Sequence, residues 1–142
     1  MRLVLSFVLL LCLVVNSYGQ ENQDLYGCDM LNCVLRDSDI NQKFVIDNRV
    51  LTPISMLDQR HYLGNCKELH TKKMTIEVAE EDDKYGGDKI GSQLELVKIT
   101  ARDSVYVVQI YDESLRLFGT AELKKNNNRY YIASRKFNYR DE

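Results

Sequence analysis

Two histidines and one cysteine lie close together in the sequence, at His61, Cys66 and His70. This spacing would suit either a thiolate activated by an imidazole or three ligands of a metal ion. A zinc site needs a fourth ligand, and both kinds of site need Cys66 as a free thiol, so a disulfide bond at Cys66 would exclude them. We therefore predict no catalytic residue, no metal ligand and no cofactor here, and we expect the histidines to flank a surface turn.

The first nineteen residues form an apolar leader. Arg2 precedes the run Leu3–Val15, in which thirteen residues include a single polar one, and the small residue Gly19 ends the segment. The run is shorter than the roughly 20 residues that cross a bilayer, and it is typical of a secretory signal peptide. We expect residues 1–19 to be removed and residues 20–142 to form a single secreted, extracellular domain.

The composition limits the classes of protein that fit. The chain has 142 residues, 44% of them hydrophobic and 28% charged, with a net charge of −2. Loss of the leader removes one positive charge, that of Arg2, and leaves −3. These values fit one domain and argue against a multidomain enzyme, a collagen or a basic nucleic-acid-binding protein. No second stretch is long and apolar enough for membrane insertion.

Three cysteines remain beyond the leader, which takes Cys12 with it: Cys28, Cys33 and Cys66. An oxidising compartment favours one disulfide bond among them. A bond from Cys28 or Cys33 to Cys66 closes a loop of 38 or 33 residues, which stabilises the fold by roughly 3–4 kcal/mol, more than a Cys28–Cys33 bond would. We predict the longer bridge without selecting its partner. The odd cysteine would stay free, be buried or link two chains as a disulfide-bonded dimer.

The amino-terminal part of the domain carries weak local signals. The apolar residues Cys28, Leu31 and Leu35 fall on one face of a short helical turn. The segment Lys43–Leu51 has apolar residues on both sides of Asp47-Asn48, a pair that tolerates the positive φ angles of a tight turn, and this predicts a hairpin.

Two interpretations remain open for the next segment. Thr52 could cap a helix over Pro53–Leu63 that Gly64 would end, or the same residues could form an irregular crossover. Further on, the acidic and glycine-rich run Glu80–Asp88 predicts a loop. It lacks the residue order of a calcium-binding EF-hand, and we interpret its charge as solvated.

From Lys72 onward the alternation of apolar and polar residues predicts strand after strand. Short, polar links join these strands, and links of this length make each pair antiparallel. The apolar phase slips at Leu96/Val97 and again at Val107/Val108, which indicates either β-bulges or strands that are apolar on both faces. The predicted strands are 74–78, 94–99, 105–110 and 115–123, with 129–139 as a further strand or a helix.

These elements predict a mainly β fold. We expect an antiparallel meander that forms a small or incomplete barrel, with one or two short helices. The alternative is an α+β roll, in which a helix packs on an antiparallel meander.

Two segments resemble the carboxy-terminal strands of lipocalins. In Ser92–Tyr111 one strand leads to Asp103, and the next, apolar strand contains Tyr106 and finishes in Tyr111. This is similar to the family's strand ending in Thr-Asp-Tyr and the apolar strand after it, which finishes in Tyr. Leu117–Leu123 is similar to the family's Leu-Tyr-Gly-Arg-x-x-x-Leu strand. Cys66 stands where many members carry a cysteine in the middle of the barrel. The chain departs from the family in having no Trp, and therefore no Gly-x-Trp motif, and no cysteine near its carboxy terminus. A barrel in this shorter chain would be trimmed or incomplete.

The resemblance implies a β-barrel that carries a small hydrophobic ligand. Tyr106, Val108 and Ile110 would point into the barrel, and Phe118 would join them from the next strand as a ligand-binding residue. We therefore expect a secreted, non-enzymatic binding protein. The alternative is a protein–protein interaction module, such as an inhibitor or a signalling or defence factor. In that case the same side chains would fill a solid core, and an exposed face or edge strand would bind an extracellular protein.

Overall fold

The computed structural model describes residues 26–49, 54–80 and 92–141. Within these residues two helices precede the sheet, and seven strands follow. The predicted signal peptide at 1–19, the candidate cap at Thr52-Pro53 and most of the acidic loop at 80–88 lie outside the described residues. The elements are α1 (Gly27–Arg36), α2 (Ser38–Lys43), β1 (Ile54–Leu57), β2 (Glu68–His70), β3 (Thr75–Ala79), β4 (Ser92–Arg102), β5 (Val105–Asp112), β6 (Leu117–Asn126) and β7 (Arg129–Tyr139).

The strands form one sheet in the order β2-β3-β1-β4-β5-β6-β7. The sheet curls into a half-barrel, which confirms the prediction of a mainly β, incomplete barrel with short helices. Strands β4 to β7 are the predicted antiparallel meander. The sheet as a whole is mixed, because β1 runs parallel to both of its neighbours, β3 and β4.

Two tight turns set the register of the meander. Asp103 and Ser104 connect β4 to β5 with φ angles of 51° and 65°, and Asn127 and Asn128 connect β6 to β7 with 46° and 65°. Such two-residue turns match the twist of the strands that they join. The long carboxy-terminal segment is therefore a strand and not a helix.

One of the two predicted phase slips is a bulge. The pairing of β4 with β5 shifts between Leu96 and Lys98, as expected. Around Val107 and Val108 the register of β5 is continuous with both neighbours, so this strand is instead apolar on both faces. A second bulge, which the sequence did not indicate, interrupts the pairing of β6 with β7 beside Leu123.

The structure contradicts the predicted hairpin, and it excludes the helix that was one of the two interpretations left open for Pro53–Leu63. Lys43 ends helix α2, and the chain then turns through Val45, so 43–49 contains no strand of a hairpin. Ile54–Leu57 is a strand and not the start of a helix, and turns follow it up to Asn65. This segment is a strand because Ile54 and Met56 are buried inside the sheet. The parallel strands on both sides of it form hydrogen bonds with its backbone N–H and C=O groups.

Helix α1 closes the half-barrel. Its Met30, Leu31, Val34 and Leu35 are buried in the core together with the inner faces of the strands. The helix contacts both outer strands of the sheet, β2 and β7. The core therefore lies between α1 and the concave face of the sheet. Neither of the helices in the described part of the chain combines the length and hydropathy that a membrane span requires.

Candidate functional site

The predicted ligand-binding residues lie on two different faces of the sheet. Val108 and Ile110 face the concave side and are 1% and 2% exposed, and Tyr106 lies in phase with them, half-buried. Contrary to what the resemblance to lipocalins implies, Phe118 does not join them. It is opposite Tyr111 in the ladder, and the two rings stack with centroids 4.3 Å apart on the convex face. The register of β5 with β6 places Ala121 and Gly119, and not Phe118, opposite Val108 and Ile110.

Gly119 is the residue that stands opposite Ile110 on the concave face. A β-carbon there would lie 2.6 Å from Cε2 of Phe44, so the ring of Phe44 occupies the space over the glycine. Phe44 is fully buried and belongs to the same cluster of side chains as Val108 and Ile110. The apolar face of α1 covers the rest of this core. The arrangement fills the concave face with the protein's own side chains.

A row of tyrosines forms one rim of this core. The ring of Tyr106 contacts Tyr26 edge to face at 6.2 Å and Tyr130 at 5.4 Å. The ammonium group of Lys125 lies 5.0 Å from the Tyr130 ring. All three rings are half-buried and pack against the core.

A buried ion pair lies at the other end of β5. Asp112 is fully buried and pairs with Nη2 of Arg49. The same guanidinium nitrogen donates a hydrogen bond of 2.7 Å to the Phe44 carbonyl, and Asp112 also accepts hydrogen bonds from Ser114 and Leu115. Sequence reasoning missed this pair, because its members lie 63 positions apart in the chain.

A disulfide bond at Cys66 excludes the activated thiolate and the metal site that the spacing of Cys66 from His61 and His70 would suit. Cys28 is bonded to Cys66, which confirms the longer bridge and selects its partner. Cys66 therefore offers no thiolate to His61 or His70. His61 lies 3.9 Å from a carboxylate oxygen of Glu80, and His70 lies within hydrogen-bond distance of Thr75. No group of three or more possible metal ligands occurs within residues 26–49, 54–80 and 92–141.

Cys33 is the free cysteine of the described chain. Its sulfur lies 3.4 Å from the backbone oxygen of Tyr130, at the seam between α1 and β7. Partial burial, followed by the nearby charge of Asp37, raises the pKa of the Cys33 thiol. A raised pKa disfavours the thiolate and makes this sulfur a weak nucleophile.

A partly exposed ion pair joins the start of α2 to β7. Both carboxylate oxygens of Asp37 accept from Arg135, at 3.0 and 2.8 Å. The same carboxylate caps α2 by accepting from the backbone N–H groups of Asp39 and Ile40. Partial burial raises the pKa of Asp37, but the hydrogen bonds from Arg135 and from these N–H groups outweigh it, and the pKa is lowered.

An open groove of about 680 Å³ runs along the seam between α1 and β7. Polar and apolar residues both line it, with Arg36, Asp37 and Arg129 beside Tyr130 and Ile132. Sequence reasoning missed this groove, because it depends on the contact of a helix with a strand that begins 93 residues after the helix ends at Arg36.

Comparisons with family models, with curated proteins and with solved structures find no match for this chain. The resemblance to lipocalins therefore stays a prediction.

Proposed function

We propose that this chain is a secreted, non-enzymatic protein-binding module whose barrel is filled by its own side chains. The observation that carries the proposal is the position of Phe44, whose ring lies where a ligand would have to sit against Gly119. A hydrophobic ligand would need to displace Phe44 or the buried face of α1, and would then gain little apolar burial that the protein does not already have.

Secretion is supported by two independent features. The leader at residues 1–19 has the pattern of a signal peptide. The Cys28–Cys66 disulfide is compatible with an extracellular protein, since such bonds persist in oxidising compartments.

The second candidate is a carrier of a small hydrophobic molecule, as the resemblance to lipocalins implies. One observation favours it: Tyr106, Val108 and Ile110 share the concave face, and Tyr106 is only half-buried at the rim. A ligand could enter there if the tyrosine row moved aside.

The two candidates differ in whether the concave face accepts a ligand. We would analyse the secreted protein by native mass spectrometry and titrate it with the probe 1-anilinonaphthalene-8-sulfonate. The filled core predicts no bound mass and no saturable fluorescence. A bound molecule of a few hundred daltons, with probe binding that Val108→Trp abolishes, would overturn the proposal. The matched control is Val107→Trp, which adds the same ring on the convex face.

A further inference from the structure

Strand β7 is the long outer strand of the sheet. It has eleven residues and, among the strands that the structure describes, pairs with β6 on one side only, whereas the other outer strand, β2, has three residues. Outer strands present backbone groups that can pair with another chain, and proteins usually keep such strands short or cover them. A long outer strand is therefore a candidate docking surface.

The hydrogen bonds identify which part of β7 is covered. The Tyr130 carbonyl points away from β6 and meets Cys33 of α1, so the helix covers this end of the strand. At the other end, the Arg140 N–H donates to the carbonyl of Arg116, 2.8 Å away, directly opposite in the ladder. Because pairing alternates along an antiparallel ladder, Lys136 and Asn138 direct their backbone groups to β6.

Arg135, Phe137 and Tyr139 therefore direct their N–H and C=O groups outward, to the free side of β7. In the described part of the chain no strand pairs with this side. Tyr139 is 62% exposed, and Phe137 is half-buried beside Phe44. The free edge thus combines backbone donors and acceptors with aromatic surface on its concave side.

Strands β6 and β7 are positively charged in an acidic protein, and at the free edge Lys136 and Arg140 carry this charge, whereas Arg135 is paired with Asp37 and Asp39. Residues 117–141 contain six basic side chains and two acidic ones, whereas the whole chain has a net charge of −2. Lys136 is exposed on the convex face of β7, and Lys43 of α2 lies 5.9 Å from the Phe137 ring. A second copy of this chain would bring the same basic strand against itself, and like charges directly opposite are destabilising.

We propose that the free edge of β7, at Arg135–Tyr139, binds an acidic, extended segment of a partner protein as an added strand. This inference rests on the proposed function, and it identifies the surface through which the protein would bind its partner. Strand addition would pair the outward backbone groups of β7. Side chains of the added strand would alternate, with carboxylates toward Lys136 and apolar groups toward Phe137 and Tyr139.

The test uses the secreted protein and a synthetic peptide of the length of β7 that alternates Glu and Val. We expect saturable binding that weakens with salt and that Lys136→Glu weakens by about tenfold or more. The matched control is Lys98→Glu, which makes the same charge reversal on β4, away from the edge. Equal affinity of both variants, or no binding at all, would overturn the proposal.

Amide hydrogen exchange locates the bound peptide residue by residue. The N–H groups of Phe137 and Tyr139 should exchange quickly in the free protein and become protected with peptide, whereas Lys136 and Asn138 should be protected in both states. Binding without this alternation, or binding of heparin but not of the peptide, would also overturn the proposal. A probe site on the concave face would contradict the proposed function instead, so the two failures are distinguishable.

Discussion

The ring of Phe44 occupies the space that a side chain at Gly119 would need. A β-carbon at Gly119 would meet Cε2 and Cζ of Phe44 at 2.6 and 2.9 Å. Phe44 follows helix α2, and Gly119 lies near the start of β6, next to the outer strand β7, so this contact fixes the end of α2 against β6. The glycine is required here because of close packing and not because of an unusual backbone angle.

Gly119→Ala should therefore destabilise the protein by overpacking, by about 1–3 kcal/mol. The double variant Gly119→Ala/Phe44→Leu should recover part of this loss, because the smaller side chain leaves room for the new methyl group. Urea denaturation of the single and double variants measures both effects. Equal stability of Gly119→Ala and the wild type would contradict the close contact.

The sequence predicted the carboxy-terminal half of the fold well. Alternating residues and short polar links identify β4 to β7, because each pairing there depends on neighbours in the sequence. Ile54–Leu57 could not be assigned in this way. Its neighbours β3 and β4 come later in the chain and run parallel to it, and four residues carry too little periodicity to indicate a strand.

The candidate sites depend even more on long-range contacts. Tyr106, Val108 and Ile110 share a face because alternation along one strand suffices to place them. The face of the sheet on which Phe118 lies depends on the register of β6 against β5, and the sequence alone does not determine that register. That Phe44 fills the concave face could not be predicted, since it requires the packing of α2 against a strand 75 residues away in the sequence.

Val45 holds a backbone conformation that suits glycine. Its φ angle is 54°, and the N–H groups of Val45 and Ile46 donate to the carbonyls of Gln42 and Asn41, as in a Schellman motif at the end of a helix. A β-branched residue is strained in this region, and its side chain is 40% exposed, so it gains little from burial.

Val45→Gly should raise the free energy of unfolding by about 1 kcal/mol, because it removes the strain of a left-handed residue. Val45→Asn should give a smaller gain, and Val45→Ile none. Thermal unfolding of the three variants provides the comparison. A loss of stability in Val45→Gly would show that Val45 makes a contact that outweighs its strain.

The pair of Asp37 and Arg135 makes stability depend on pH. The pKa of Asp37 is lower in the folded protein than in the unfolded chain, so the charged carboxylate stabilises the fold. This contribution is fully present above the ordinary carboxyl pKa of about 4 and is lost as the pH falls through the lowered value.

Asp37→Asn should keep the helix cap, since an amide oxygen can accept from the N–H groups of Asp39 and Ile40. It should lose one of the two carboxylates opposite Arg135 and leave that of Asp39. We expect a loss of about 1 kcal/mol at neutral pH, which is typical of an exposed pair, and a difference that vanishes in acid. Urea denaturation across this pH range measures it. A difference that persists unchanged in acid would assign the effect to the cap alone.

Arg49 and Asp112 should be energetically coupled, because each is buried and each compensates the charge of the other. The side chain of Asp112 is 1% exposed and that of Arg49 is 10% exposed. Removal of one member leaves an uncompensated buried charge, which typically costs about 3–5 kcal/mol.

Asp112→Asn keeps the size of the side chain and an acceptor for Ser114 and Leu115, so its effect reports mainly the lost charge. Arg49→Met removes the guanidinium and keeps an apolar stem. The double variant should be less destabilised than the sum of the two single variants, with a coupling of about 1–3 kcal/mol. Strictly additive losses in a double-mutant cycle would mean that the two charges act independently.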